Sequence, residues 1–481
     1  MTINLIAKHV WKSAGPRSAL TSRGIVALLV LMAGLMLYAL VTGVVAFREE
    51  QTSHAHHRQE ARRDWLSNPD KHPHRMAHFG HYAIREKEPL SLFDRGMERF
   101  MGNMVYLEAH RQNSVNFSEA GFSTGLLRFG EISLAMLLQL LVPLLVFFLG
   151  FDSITAERER GTLAMLMSQG VSWRQLLLGK WLGLSRLMLL FFVPIMVVTW
   201  ALVLILPHHP VEADDIIRLV LLTLTYLLYL LLFCGIAVLV SARSRTGKTA
   251  LVTLIGLWLM LTIVLPRASQ ALGVYLYPAP SQAQFVADIQ ADIMKQGDSH
   301  NPNDPHYKAL KDSVLTAYRV DSVTQLPFNF GGLVMTEGER ISAGIYDRHF
   351  ARLQTIYADQ NRFSKALAWV NPYMAIRSLS MLLAHTDYGS YLHFQQQAEA
   401  YRYALAQKMN ELQIKYIAAR ANGPNRISRA NWQNMPDFSY EPQSVSTVLG
   451  QEAVTIGALI GWLLLLLGVG YRQTKTLTVT G

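Results

Sequence analysis

Six segments of the chain are apolar over roughly 17 to 24 residues. They are Gly24 to Phe47, Ile132 to Phe151, Leu187 to Leu206, Leu219 to Val240, Thr249 to Leu265 and Ala453 to Tyr471. At a rise of about 1.5 Å per residue, each suits a hydrocarbon core about 30 Å thick. None shows the strict alternation of a half-buried strand, and a backbone facing lipid must satisfy its own hydrogen bonds. All six are therefore predicted to be membrane-crossing helices. Between them the pattern turns polar in two large pieces, Arg48 to Gly130 and Arg267 to Glu452. The second holds helix-like stretches at Gln282 to Gln296, Gly338 to Val370 and Tyr391 to Ala421, punctuated by TQLPFNFGG and ANGPNRIS. The expected fold is an all-α membrane protein: six transmembrane helices with a large, mainly helical domain built from the loops after the first and fifth spans.

Composition agrees with a mixed architecture. The 481 residues are 51% hydrophobic and only 16% charged, and the mean hydropathy is +0.19. That describes neither a soluble enzyme nor a protein made wholly of membrane helices. Lys and Arg set the expected orientation, because cytoplasmic loops retain them. Lys8, Lys12, Arg17 and Arg23 precede the first span. Arg158, Arg160, Arg174, Lys180 and Arg186 lie between the second and third, and Arg243, Arg245 and Lys248 between the fourth and fifth. The opposite short loop, Pro207 to Asp215, carries Glu212, Asp214 and Asp215 and no Lys or Arg.

The amphipathic segment 1–23, the loop 152–183, the turn 241–248 and the tail 472–481 are thus expected in the cytosol. Segments 48–130, 207–218 and 267–452 are expected in the periplasm of a bacterial inner-membrane protein. The first span has too long an apolar core, and no small-residue cleavage site, for a signal peptide. The net charge of +10 follows partly from this bias, so no nucleic-acid partner is implied. The single cysteine, Cys234, lies inside the fourth span, leaving the outer segments without disulfides.

Several motifs suggest chemistry and then fail to support it. SRTGKTA near Lys248 has Ala242 where a phosphate-binding loop needs its first glycine, and no strand precedes it. The spans lack the central Asp, Glu or Arg of ion-coupled carriers. Their polar side chains at depth, Gln139, Thr223, Tyr226 and Tyr229, either line a translocation path or bond neighbouring helices. Histidines crowd SHAHHRQE and KHPHRMAHFGH, and neutral imidazoles ligate zinc, copper or nickel. With no nearby cysteine, no HExxH and no decisive spacing, the expectation is a polar surface and no bound metal; the candidates for one are His72, His74, His78 and His81. Glu108 and His110 in YLEAHRQN are expected to make a structural hydrogen bond. No catalytic residue and no cofactor is assigned to the chain.

The connector between the second and third spans is more specific. Glu157, Arg158, Glu159 and Arg160 alternate in sign, Gly161 permits a sharp change of direction, and Thr162 to Met167 is apolar. The segment AERERGTLAMLMSQGVSWRQLLLGKWLG resembles the signature of ABC-2-type transporter permeases at Glu157, Arg158, Glu159, Arg160, Gly161, Thr162, Leu163, Ser168, Arg174, Gly179 and Lys180. The outer pieces, among them WVNPYMAIRSLSMLLAHTDYGSYLHFQQQAEAYR, are similar to a subgroup with enlarged periplasmic domains found in gliding-motility and nitrous-oxide-reductase maturation systems.

The resemblance implies a separate ABC ATPase subunit carrying ATP and Mg. It implies a second permease chain, identical or related, and a coupling role for Glu157 to Leu163 in a groove of the ATPase. Two outcomes of the coupled motion stay open. Either a substrate is exported between the spans, or the spans drive the outer domain to capture or release a periplasmic protein. A polar cavity between the spans would favour export; tightly packed spans with a cleft only in the outer domain would favour transmission. An outward metal sensor independent of ATP is the third alternative.

Overall fold

The computed structural model describes residues 2–14, 23–113, 132–206, 210–301, 304–420 and 423–478. Met1, 15–22 with Arg17, 114–131, 207–209, 302–303, 421–422 and 479–481 lie outside the described residues. These include the end of the first polar segment, part of the acidic loop, part of ANGPNRIS and the last residues of the tail. The described chain is mostly helical, and six of its helices are long and apolar enough to cross a membrane. It is a multi-pass membrane protein.

Helix α1 (Thr2–Ala14) precedes α2 (Arg23–Ser67). The span predicted to end at Phe47 is only the first half of α2, whose 45 residues make a rod about 68 Å long at 1.5 Å per residue. The continuation, FREEQTSHAHHRQEARRDWLS, has no apolar period but also no Gly or Pro. The helix ends only where Asn68–Pro69 disfavours the α region.

After the one-turn α3 (Pro73–Ala77), an antiparallel hairpin pairs β1 (His81–Ile84) with β2 (Met104–Leu107), Tyr82 facing Tyr106. This small sheet corrects the all-α expectation. Gly80, at φ 76°, makes the entry possible. A Cβ there would sit 2.2 Å from the Tyr106 hydroxyl, which donates to the Phe79 carbonyl at 2.9 Å.

The second span runs through Leu134–Met136 and a π-helical turn, Leu137–Leu141, into α4 (Val142–Gly150). Then come the short α5 (Thr155–Glu159) and α6 (Thr162–Ser168), followed by α7 (Trp173–Ile205) and α8 (Ala213–Arg243). The fifth span is α9 (Gly247–Leu259), a second π-helical turn at Met260–Val264, and α10 (Leu265–Leu276), which runs past the predicted end at Leu265. The large segment that follows contains α11 (Gln282–Gln296), α12 (Pro305–Tyr318), α13 (Phe330–Ala366), α14 (Pro372–Leu383) and α15 (Tyr388–Tyr416); α16 (Ala453–Thr476) is the sixth span. Helix α7 starts inside the predicted connector, fixed by a capping box between Ser172 and Gln175.

Both π turns stand just before a proline, Pro143 or Pro266. Proline lacks the N–H that an α-helix needs and crowds the preceding turn, and the wider turn accommodates it. The carbonyls freed there are taken by side chains from other helices. Tyr229 donates to the Gln139 oxygen at 2.8 Å, Trp258 to Leu140 at 2.9 Å and Asn371 to Leu261 at 2.7 Å. Such bonds let irregular backbone persist at membrane depth.

Helix α8 is central, packing against α4, α7, α14 and α16. Two pieces expected wholly outside the membrane return to this bundle. Leu90 and Phe93, from the segment between β1 and β2, and Tyr373, Ile376, Leu379 and Leu383 of α14 share one core with the spans. The rest of the polar mass forms smaller cores of its own, joining the two large segments. Trp65 at the far end of α2 meets Trp432 and donates to its carbonyl at 3.0 Å. Phe394 packs with Phe438 and Val105.

Candidate functional site

The connector given a coupling role is partly tied inward. Glu157 pairs with Lys180 of α7. Arg158 donates to the carbonyls of Ser244 and, at 2.8 Å, of Ala242. Glu159 accepts the Gly247 N–H at 2.9 Å. Leu163 is buried. These bonds tie the connector to α7, the end of α8 and the start of α9. Facing outward are Glu159, Arg160, Gly161, Thr162 and, on α6, Ala164, Ser168 and Met165, the last 59% exposed. Gly161 caps α6 at φ 73° with open space around it. Gly179 and Gly183 are contact points for α1: a Cβ at either would meet Ile6 or Val10 at 2.7 or 2.5 Å. Lys248 is an exposed residue of the first turn of α9, whose cap is Thr246.

The four polar residues offered as a path do not line one within the described chain. Gln139 donates to the Tyr226 hydroxyl at 2.6 Å, which lies 2.8 Å from Ser380 Oγ. Ser380 donates to Asp94. Tyr229 caps the Gln139 carbonyl. Thr223 receives the Trp200 indole N–H at 3.1 Å and donates to the Leu219 carbonyl at 2.7 Å. Gln139, Tyr226 and Tyr229 are buried. The spans themselves supply no carboxylate here; Asp94 does, carried in by the returning segment and also accepting the Gly96 N–H at 2.9 Å. Both its partner Ser380 and the π-turn cap Asn371 flank or lie on α14, so the outer segment is bonded into the bundle. Arg218 of α8 adds a third tie, donating to the carbonyls of Leu382 at 3.0 Å and Gln443 at 2.6 Å.

The domain built from the two large polar segments contains a cleft of about 460 Å³ between β2, α13 and α15, with Arg340, Asp347, Gln354, Gln396 and Glu399 on its walls. Behind it Arg402 bonds Glu399 at 2.7 Å and Glu339 at 2.6 Å. Glu339 also accepts the backbone N–H of His110 at 2.8 Å and meets His110 Nδ1 at 3.1 Å. Burial raises the Glu339 carboxyl, but the His110 hydrogen bond and the Arg402 charge outweigh it and hold the pKa at about 2. The pair expected of His110 was with Glu108; instead Glu108 accepts from Asn113 at 3.1 Å.

His110 belongs to a cluster the chain's linear order conceals. His74 of α3, His78 at its end, His110 after β2 and His300 between α11 and α12 each offer a ligand atom within 4.8 Å of the others. His74 and His78 are one helical turn apart, their ring centres 4.6 Å from each other; those of His110 and His300 are 5.0 Å apart. Burial, then the neighbouring imidazoles, lowers the pKa of His74 to about 3 and also lowers that of His78. Of the four sequence candidates only these two are in the cluster. His72 caps α3, its Nδ1 accepting the His74 N–H at 3.2 Å. His81 is buried in β1, 3.5 Å from Asp437. His110 and His300 were missed because nothing in their spacing connects them to KHPHRMAH.

Residues 282–441 match a domain of unknown function, DUF3526. The match covers roughly a third of the chain, from α11 to just beyond Tyr440, and takes in His300, Glu339, Arg402, all of α14 and the α13 and α15 walls of the cleft. His74, His78 and His110 come from the first polar segment, outside it. No curated protein matches the chain.

Proposed function

We propose that the chain is the membrane subunit of an ATP-driven assembly of the ABC-2 permease type, placed in a bacterial inner membrane with both termini cytosolic and the DUF3526 domain periplasmic. A separate ATPase subunit binds ATP and Mg and docks on the exposed face Arg160 to Met165. Two permease chains, identical or related, pair in the bilayer. The motion is delivered to the outer domain, which acts on a periplasmic protein; nothing is passed between the spans of this chain.

The observation that carries this reading is α14. A helix of the outer segment is built into the span bundle through Asn371, Ser380 and the bonds from Arg218, so the spans and the domain are joined by buried hydrogen bonds rather than a loose tether. Gln139 and Tyr226 are engaged in that joint and Tyr229 and Thr223 in bonds between spans, and a cleft of about 460 Å³ lies in the domain. An export path between two chains would need polar lining on the exposed span faces. On α2 and α16 those faces present Val30, Leu37, Val41, Ile460 and Leu464, which suit lipid or an apolar partner.

The test is purification of the full-length chain in mild detergent, with mass spectrometry and an ATPase assay of what accompanies it. A stoichiometric ATPase is expected, with hydrolysis that Met165→Glu or Gly161→Trp uncouples from the chain. If no ATPase copurifies or crosslinks to residues 160–170, the reading fails.

A further inference from the structure

We propose that His74, His78, His110 and His300 form a binding site for one divalent late-transition-metal ion, copper or zinc, in the outer domain. The inference is independent of any ATPase.

The donor set selects the class of ion. Four imidazole nitrogens, with no thiolate and no carboxylate among the four ligands, suit Zn(II) and Cu(II) and do not suit Mg or Ca, which need oxygen. The ligands come from three separated parts of the chain, so their convergence is a property of the fold. Two of their nitrogens, His74 Nδ1 and His110 Nε2, are buried without a hydrogen-bond partner. Buried polar atoms are normally satisfied, and those that are not call for a reason; a lone pair held ready for a metal supplies one.

The supports around the ligands are those a metal site needs. A ligating histidine is usually oriented through its other ring nitrogen by a carboxylate. Glu339 does this to His110 Nδ1 at 3.1 Å, which leaves Nε2 facing the cluster, and Arg402 fixes Glu339 from behind at 2.6 Å. His110 adopts φ 63°, a left-handed state uncommon for residues other than glycine though less so for histidine, and the same Glu339 holds it by accepting its N–H. The loop carrying His300 comes close to α13 because residue 338 is glycine: a Cβ there would lie 2.5 Å from Ser299. A tetrahedral ion at about 2.0–2.1 Å from each nitrogen requires them about 3.3–3.4 Å apart. The cluster, spread over at most 4.8 Å, reaches that with a contraction of about 1 to 1.5 Å, within the reach of side-chain rotation.

A second group, His56, His57 and Glu60 on α2, is exposed and is held together by helical spacing. It serves as the control.

The test uses the full chain, purified through a tag without histidine, stripped with chelator and equilibrated with Cu(II), Zn(II) or Mg(II) before metal content is measured. One equivalent of Cu or Zn and no Mg is expected. His300→Asn, on an exposed loop, should weaken binding at least 100-fold while leaving metal-free thermal unfolding unchanged. Glu339→Gln should weaken it by about 10- to 100-fold. His56→Asn with His57→Asn should leave it intact. Absence of stoichiometric binding, or binding that survives His110→Asn with His300→Asn and disappears with His56→Asn and His57→Asn, would overturn the assignment.

Discussion

Two polar clusters lie inside this chain, and they are finished to opposite degrees. In the span bundle, Gln139, Tyr226, Ser380 and Asp94 form a line of hydrogen bonds in which each hydroxyl both receives and gives. In the domain built from the two polar segments, His74, His78, His110 and His300 converge with two ring nitrogens buried and unbonded. A closed network gives rigidity and specifies one packing. An open one carries a standing cost that a ligand can remove. The proposed mechanical role of the first cluster and the proposed metal binding of the second rest on this difference.

The contrast can be broken or sharpened by substitution. The largest effect is expected at the support of the histidine cluster. Glu339→Ala leaves Arg402 buried with one carboxylate fewer and should cost about 3–5 kcal/mol, read as a fall in the thermal unfolding midpoint of the purified chain. Gly338→Ala forces Ser299 and the His300 loop away from α13. It should cost about 1–3 kcal/mol and reduce metal binding together with stability. Tyr226→Phe strands both Gln139 and Ser380, and about 1–3 kcal/mol of stability should go with it; a neutral result would mean the bundle network is not closed. His74→Leu, by contrast, deletes a nitrogen that has no partner. In metal-free protein it should lie within about 0.5 kcal/mol of the parent, and a large loss would show that the cluster is structural.

Much of the fold was legible because its signals are local. The apolar runs and the Gln282–Gln296 helix follow from short-range patterns that the structure keeps. The second half of α2 was not legible, since a polar rod without breakers looks like a loop until its tip is seen packed on Trp432. The burial of α14 was not legible either: PYMAIRSLSMLL is too short to be taken for a span, and only its bonds to Leu261 and Tyr226 reveal where it sits. At the connector, the pairing of Glu157, Arg158 and Glu159 with residues far along the chain was not legible, because no local pattern encodes it. The histidine cluster was half visible. His74 and His78 share a helical turn, whereas His110 and His300 arrive by tertiary folding that no spacing encodes.

The central claim is that the bundle moves the outer domain through α14. It is tested most directly by a distance measurement across the cleft. Spin labels at Gln354→Cys and Gln396→Cys, in a Cys234→Ser background, should report a change of separation when ATP is added to the chain with its ATPase. Asn371→Ala, which opens the joint to Leu261, should abolish that change while hydrolysis continues. A cleft whose width ignores ATP while solute crosses vesicles containing the complex would contradict the account.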